Sequence, residues 1–457
     1  MALPPGANTL MSELIVSVSG VRGVVGESLT REVVERFTRA AASVLEDGAI
    51  VVSRDGRANG IELADHVSHT LSAGGRHVIQ AGITSTPTTG ILVRKFKAAG
   101  GIQISASHNP VQYNGLKLFD ETGRVLTARQ GEQVRDLYLD ADSHPLPAET
   151  PGTIEECADT LSDHLDRVLA TVNSAAIRDQ HYRVLLDANH GAGGLLGRPL
   201  LETLGCQVHL LGEEPHGNFQ HTPEPTATNL ASICQAVANV GVDIGFCQDP
   251  DADRLAIIDA QGTYLGEEYT LALCVDHVLQ QQPGPIVTNC ASSLMIEDLA
   301  RQHGVTFERS AVGEANVVDV MLARQASFGG EGNGGPIDPR VGYVRDSFVG
   351  MALVLDAMAR TGSSVRALAD RLPRYCIHKT QVTVAGKNLA TLFDALEDQL
   401  DAESASRLDG LRLEWPGQWL LMRASNTEPL VRLIAEAGDA ATAEMLCRQA
   451  AQIVQSA

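Results

Sequence analysis

The sequence predicts an α/β protein of several units: three similar α/β units with mixed sheets, then a smaller α+β unit. Three observations carry this. Strand-like and helix-like segments alternate along most of the chain, which implies parallel or mixed sheets. The 457 residues suffice for about three domains at roughly 150 residues each, with sizeable cores. Aromatic residues make up only 4% and glycines number 43. Cores must therefore rest on Val, Ile, Leu and Ala, which suits α/β layers better than a β-sandwich.

The elements follow in order. Ala49 to Ser53 reads as a buried strand, Ile61 to Ala73 as a helix and His77 to Ile83 as a strand. The turn Thr84-Ser85-Thr86-Pro87 precedes a helix to about Lys97 and the strand Gly101 to Ser105. Asp140 to Gly152, rich in Pro, Ala and acidic residues, reads as a linker. The second unit has strands Tyr182 to Leu186 and Gln207 to Leu211 and helices Leu195 to Leu204 and Leu230 to Val240. The apolar strand Val242 to Cys247 runs into an aspartate loop and returns as Arg254 to Asp259, turning at Ala260-Gln261-Gly262. A third unit includes the strand Ile286 to Thr288, a helix from Leu294 and a glycine-rich loop, Gly329 to Gly335. After Pro373 come the strand Lys379 to Val384, a helix near Leu389 to Leu400, two strands around the loop Arg423 to Pro429, and a helix from Ala440. The expected boundaries are 1–152, 153–260, 261–372 and 373–457.

A formal charge of −21 repels polyanions, so neither nucleic acid nor an anionic membrane is an expected partner. A phosphorylated small molecule stays possible, because salt screens the global charge beyond roughly 10 Å and local Arg and Lys decide. There is no 18-residue apolar run of the kind that spans a membrane, and residues 1–11 do not read as a signal peptide. The eight cysteines are scattered with no C-x-x-C pair, which reads as reduced thiols in a cytoplasmic protein.

Two loops far apart carry the chemistry. Ile104-Ser105-Ala106-Ser107-His108-Asn109-Pro110 offers a serine in a turn, and Asp249-Pro250-Asp251-Ala252-Asp253-Arg254 offers three alternate carboxylates and an arginine. A hydroxyl, a cage for a hard cation and an arginine are parts that phosphoryl transfer requires. Oxygen-only ligands suit Mg²⁺ or Ca²⁺ rather than zinc. An EF-hand would need Gly and Glu where Arg254 and Ala260 stand. A phosphatase using Asp249 as nucleophile after an apolar strand remains a rival. Lys117, in Asn114-Gly115-Leu116-Lys117, and His108 are able to move protons near the serine. No G-x-S-x-G elbow surrounds Ser107. Arg423-Ala424-Ser425-Asn426-Thr427-Glu428-Pro429, with Arg432 beyond, gathers arginines, hydroxyls and an amide into a phosphate cradle. Gly191-Ala192-Gly193-Gly194 lacks the third glycine of a dinucleotide fingerprint, since residue 196 is Leu. No P-loop Gly-Lys-Ser/Thr occurs.

In this order, from Ser19 to Arg432, the motifs strongly resemble the α-D-phosphohexomutase family of phosphoglucomutases, phosphomannomutases and phosphoglucosamine mutases, in its archaeal-type branch. The resemblance covers essentially the whole chain. It implies four domains around a central active-site cleft. It implies Ser107 as phosphoserine, with Asp249, Asp251 and Asp253 holding Mg²⁺ together with a phosphoserine oxygen and Arg254 following them. Lys117 and His108 would be the acid/base candidates, and Arg22, in Ser19-Gly20-Val21-Arg22-Gly23, would stand beside the phosphoserine. Glu331 would grip sugar hydroxyls, while Arg423, Ser425, Asn426, Thr427 and Arg432 would hold the non-reacting phosphate. Gly330-Glu331-Gly332-Asn333-Gly334-Gly335 replaces the usual Gly-Glu-x-Ser-Gly, often followed by His; Asn333 can still hydrogen-bond hydroxyls. Val312-Gly313-Glu314-Ala315-Asn316 replaces the commoner Val-Gly-Asp followed by a basic residue.

The implied reaction interconverts hexose 6-phosphate and hexose 1-phosphate through phosphorylated Ser107. A hexose 1,6-bisphosphate, intermediate and activator, turns over in the cleft. Glucosamine phosphate is the first expectation for the sugar, and a dual phosphomannomutase/phosphoglucomutase the next. A mobile fourth domain would gate the cleft against water. A catalytically silent sugar-phosphate sensor is the other rival. The chain is expected to act as a cytoplasmic monomer or homodimer.

Overall fold

The computed structural model describes residues 14–140, 148–384, 386–424 and 430–456. They fold into four sheets, each covered by helices. The first sheet has seven strands and is mixed. Its kernel runs Val78–Ile83, Ile50–Arg54, Gly100–Ile104 and Tyr113–Asp120, the first three parallel and the last antiparallel. The two strands Ile15–Ser17 and Gly20–Val24 extend one edge. Ile154–Glu156 adds to the other, so the chain rejoins this sheet beyond the expected boundary at 152.

The kernel recurs twice. The second sheet runs Gln207–Leu211, Arg183–Asp187, Ile244–Gln248, Leu255–Asp259. The third runs Phe307–Ser310, Ile286–Asn289, Phe328–Glu331, Gly335–Ile337. In all three a central parallel strand turns back into an antiparallel partner. Those three hairpins carry Ser107, the aspartates and Glu331.

The run read as a glycine-rich loop is largely the third of these hairpins. Glycine is required for the close approach of its strands. A Cβ at Gly330, where φ is +145°, would lie 2.4 Å from the Gly335 carbonyl oxygen.

The last sheet is antiparallel throughout: Cys376–Thr383, Leu430–Ala437, Gln418–Ala424, Leu411–Trp415, Ser404–Ser406. The helices Leu389–Leu400 and Ala440–Ser456 complete its core, built on Leu392, Leu396, Leu433 and Val454. The second and third sheets share one larger core, in which Phe246, Leu271 and Phe348 are buried together. The first unit is tied to both by His164. Its Nδ1 lies 2.8 Å from Thr88 Oγ1 and its Nε2 lies 2.7 Å from Asp346 Oδ2. Three units are thus fastened to one another, and the fourth, besides its own core, packs Trp419 and Leu421 against Cys290 of the third. Among the described residues no helix is long and apolar enough to cross a membrane.

Candidate functional site

Ser107 follows the strand Gly100–Ile104 in a tight turn and adopts a left-handed φ of 49°. The turn is held from below. Ser105 Oγ donates to Asp55 Oδ2 at 2.7 Å and accepts from Ser107 N at 2.9 Å. Arg57, fully buried, pairs with Asp55 and donates to the carbonyls of Ser107 (2.8 Å) and Asn109 (2.5 Å). Neither Asp55 nor Arg57 was singled out in the sequence. The available signal was the charged run Arg54-Asp55-Gly56-Arg57 emerging directly from a buried strand.

The aspartate loop meets this turn. Ser107 Oγ donates to Asp249 Oδ2 at 2.8 Å. Ala252 takes the left-handed conformation, φ 57°, which folds the loop so that one oxygen from each of Asp249, Asp251 and Asp253 falls within 4.8 Å of the others. All three are fully buried. Thr86, at the start of the helix Thr86–Phe96, anchors the loop. Its N–H donates to the Asp251 carbonyl at 2.9 Å and its hydroxyl to the Asp251 carboxylate. The Arg254 N–H donates to Asp249 Oδ1 at 3.1 Å.

The donor set fits a hard divalent cation such as Mg²⁺. It is all oxygen, and Asp251 Oδ1 and Asp253 Oδ1 are buried without a hydrogen-bond partner. Burial, with Asp253 and Asp251 alongside, pushes the Asp249 carboxyl up to about 8, as crowded carboxylates do without a compensating cation. Burial also opposes charge on Asp253, but Arg345, Lys117 and Arg254 outweigh it and hold that carboxyl low.

Lys117 lies on the strand Tyr113–Asp120, opposite Gln103. Its hydrogen bonds go to the aspartates, to Asp251 and to Asp253 Oδ2 at 3.1 Å. Burial disfavours its charge, yet Asp251 and Asp253 raise its pKa above the ordinary value. His108 differs. Its Nδ1 lies 3.4 Å from Ser107 Oγ, and burial, with Arg254 and Arg22 nearby, takes it down to about 3. The ring is therefore held neutral. Arg22 reaches Asn109 Oδ1 at 3.4 Å, inside the same turn.

Glu331 closes the third hairpin. Its Oε1 accepts from Asn289 Nδ2 (2.7 Å) and Gly313 N (3.1 Å), and its Oε2 from Arg345 (2.7 Å). Arg345 also binds Asp253 Oδ2 at 2.6 Å and stands 3.4 Å from Glu314 Oε2. One guanidinium thus joins the aspartate loop to the glycine hairpin. Arg345 escaped sequence reading, although Glu314, in the altered Val-Gly motif, accepts from its backbone N–H at 2.8 Å. Asn333 Oδ1 is buried with no partner.

On the fourth unit, Arg423 and Arg432 stand opposite one another on paired strands. Asp409 binds Arg423 at 2.9 Å and accepts from Val312 N at 2.8 Å, tying the pair to the third unit. Ser425, Asn426 and Thr427 lie outside the described residues. A cleft of about 540 Å³ unites the four units. Its walls include His108, Arg254, Glu331, Asn333, Arg423 and Arg432.

Over residues 14–144, 162–262, 267–375 and 380–453 the chain matches, in order, phosphoglucomutase/phosphomannomutase alpha/beta/alpha domains I, II and III and the C-terminal domain. It is 33% identical over 426 residues to a phosphoglucomutase/phosphomannomutase of Thermococcus kodakarensis, covering 92% of this chain and 93% of that one. It is 30% identical over 443 residues to a probable phosphoglucosamine mutase of Pyrococcus horikoshii, covering 96% and 97%. A crystal structure of a phosphoglucomutase/phosphomannomutase family protein from Burkholderia thailandensis superposes with a TM-score of 0.84 at 26% identity, covering 96% of this chain and 97% of the other.

Proposed function

Because the chain belongs to the phosphoglucomutase/phosphomannomutase family, we propose that it is a phosphohexomutase interconverting hexose 6-phosphates and hexose 1-phosphates. It is an isomerase-class enzyme that moves a phosphoryl group within its substrate. The observation carrying this reading is the single cleft in which residues of the Ser107 turn, the aspartate loop, the glycine hairpin and the arginine pair of the fourth unit all appear.

Ser107, phosphorylated, is the donor. A sugar hydroxyl attacks the phosphorus, the bond from phosphorus to Ser107 Oγ breaks, and a hexose 1,6-bisphosphate forms. The hydroxyl proton passes to His108 or Lys117, the two acid/base candidates beside the turn, of which His108 Nδ1 stands 3.4 Å from Ser107 Oγ. The bisphosphate reorients, and Ser107 Oγ takes the phosphoryl group from the other end. Arg423 and Arg432 bind the non-reacting phosphate from either end of the sugar, a task for a general anion site. Glu331 and Asn333 receive sugar hydroxyls. Asp249, Asp251 and Asp253 would hold Mg²⁺, which when bound supplies positive charge to the transferring group. Lys117 and Arg254 add fixed positive charge beside the same carboxylates.

A phosphatase with Asp249 as nucleophile fits less well. Both Asp249 oxygens already accept hydrogen bonds, one from Arg254 N and the other from Ser107 Oγ. Glucosamine phosphate is the preferred sugar, in keeping with the probable phosphoglucosamine mutases among the relatives. The Thermococcus relative at 33% identity supports the dual glucose/mannose reading as second. Following one preparation by ³¹P NMR on the 6-phosphates of glucosamine, glucose and mannose, with Mg²⁺ and a 1,6-bisphosphate primer, ranks the sugars by kcat/KM. Isomerisation of none of the three, or release of inorganic phosphate in place of the 1-phosphate, would sink the proposal.

A further inference from the structure

The helix Glu267–Gln281 starts beside the glycine hairpin, and two carboxylates stand in its first turn. Glu267 is paired with Lys379 at 2.8 Å. Glu268 makes no salt bridge among the described residues. Its Oε2 accepts from Ser293 N at 3.0 Å, and its side chain lines the same cleft as Glu331, Asn333 and Arg423. A Cβ at Gly332 would lie 2.0 and 2.1 Å from the two Glu268 oxygens. The carboxyl therefore occupies the space that a side chain in the middle of the hairpin turn would need. Glycine at 332 and glutamate at 268 form one arrangement, and it brings an acid to the sugar-facing loop.

The electrostatics of that acid point the same way. Burial is the largest influence on it and pushes the carboxyl up to about 8, with the Ser293 N–H and Lys379 pulling only partly against that rise. Lys379 is already paired with Glu267, and the Glu436 carboxylate adds to the rise. A carboxyl so placed gains most from a ligand that brings its own cation, because an ammonium in contact offsets the desolvation of the carboxylate. A neutral hydroxyl offers only an ordinary hydrogen bond. Among hexose phosphates, the aminohexoses carry such an ammonium on the ring.

We propose that Glu268 is a specificity-determining residue of the sugar subsite, where its carboxylate receives the ring ammonium of an aminohexose phosphate. This rests on the mutase reading above and names the substrate class of that site. The ion pair forms on binding and persists through phosphoryl transfer, so it acts on KM more than on kcat.

The test compares kcat/KM for glucosamine 6-phosphate with that for glucose 6-phosphate in the wild type, in Glu268→Gln and in Glu268→Asp. Glu268→Gln keeps size and the bond from Ser293 N but removes the charge. The preference for glucosamine should fall by about tenfold or more, the size of one charge-assisted hydrogen bond, and chiefly through KM. Glu268→Asp, which retains the charge, should recover part of it. Gly332→Ala should reproduce the loss by displacing the carboxyl from the other side. Equal losses on both sugars, as a merely structural carboxyl would give, or an unchanged preference, overturn the proposal. So does a wild type that prefers glucose 6-phosphate. Turnover of either sugar upholds the mutase reading in every one of these cases, so the two fail separately.

Discussion

Replacing Arg345 with methionine tests how the aspartate loop and the glycine hairpin are joined. The guanidinium is 14% exposed and faces three largely buried carboxylates, Asp253 at 2.6 Å, Glu331 at 2.7 Å and Glu314 at 3.4 Å. Methionine fills much of the volume and removes the charge. Breaking a buried pair by deleting one partner costs about 3–5 kcal/mol. The lower end applies, because Glu314, already raised by burial, can relieve strain by taking up a proton. A loss of about 3 kcal/mol in the core shared by the second and third units corresponds to a melting decrease of roughly 6–12 °C. Activity should fall independently. Glu331 retains its bonds from Asn289 and Gly313, so it is loosened rather than released. Misplacement of a positioning group by about 1 Å costs about 10²-fold, and kcat/KM should drop by about 10- to 100-fold. Mg²⁺ should bind more tightly, since a competing positive charge beside Asp253 is gone. Arg345→Lys should regain part of the melting temperature but little activity, because an ammonium cannot span two carboxylates in a fork. Calorimetry, steady-state kinetics and a Mg²⁺ titration read these three effects. The bridging role is wrong if the methionine variant keeps kcat/KM within about threefold of wild type, or if lysine serves as well as arginine.

Ser107→Ala should abolish mutase turnover with near-ultraviolet circular dichroism unchanged, and near-normal turnover would remove Ser107 from the reaction. Arg423→Ala should weaken hexose monophosphate binding by about 10- to 100-fold, the size of hydrogen bonds to a charged group, with little change in Mg²⁺ affinity; calorimetric titrations showing equal losses would mean that the arginine does not hold phosphate. Stability should also depend on pH through Glu268. Its folded carboxyl, near 8, binds a proton more tightly than an unfolded glutamate near about 4.3. This contribution is therefore fully present below about pH 4.3 and is lost as pH rises through 8. The melting curve of Glu268→Gln should lack that part of the decline, and parallel wild-type and variant profiles would show that burial does not hold the proton there.

The parts legible in the sequence were those written locally. The helix Leu389–Leu400 and the strand Gln207–Leu211 lie where periodicity put them. The Asp249 loop announced itself by three carboxylates at the end of an apolar strand. Helix Ser347–Thr361 was passed over because residues 347–358 are buried around its whole circumference, and an all-round apolar helix has no stripe to read. The glycine run looked like a loop because glycine is disfavoured in strands, whereas here it permits two backbones to meet. Arg57, Arg345 and Glu268 were invisible for another reason. Each is defined by a partner far off in the chain: Arg57 by Ser107, Arg345 by Asp253, and Glu268 by Gly332. Such partnerships exist only once the units are assembled.

The threefold recurrence of one hairpin makes the cleft a meeting of equivalent loops. Ser107, the three aspartates and Glu331 occupy the same topological station in successive copies of one sheet. The copies are not independent, because Arg345 of the third binds Asp253 of the second and Thr86 of the first holds Asp251. A substitution in one hairpin is therefore felt at the next, and the cleft adjusts as a unit.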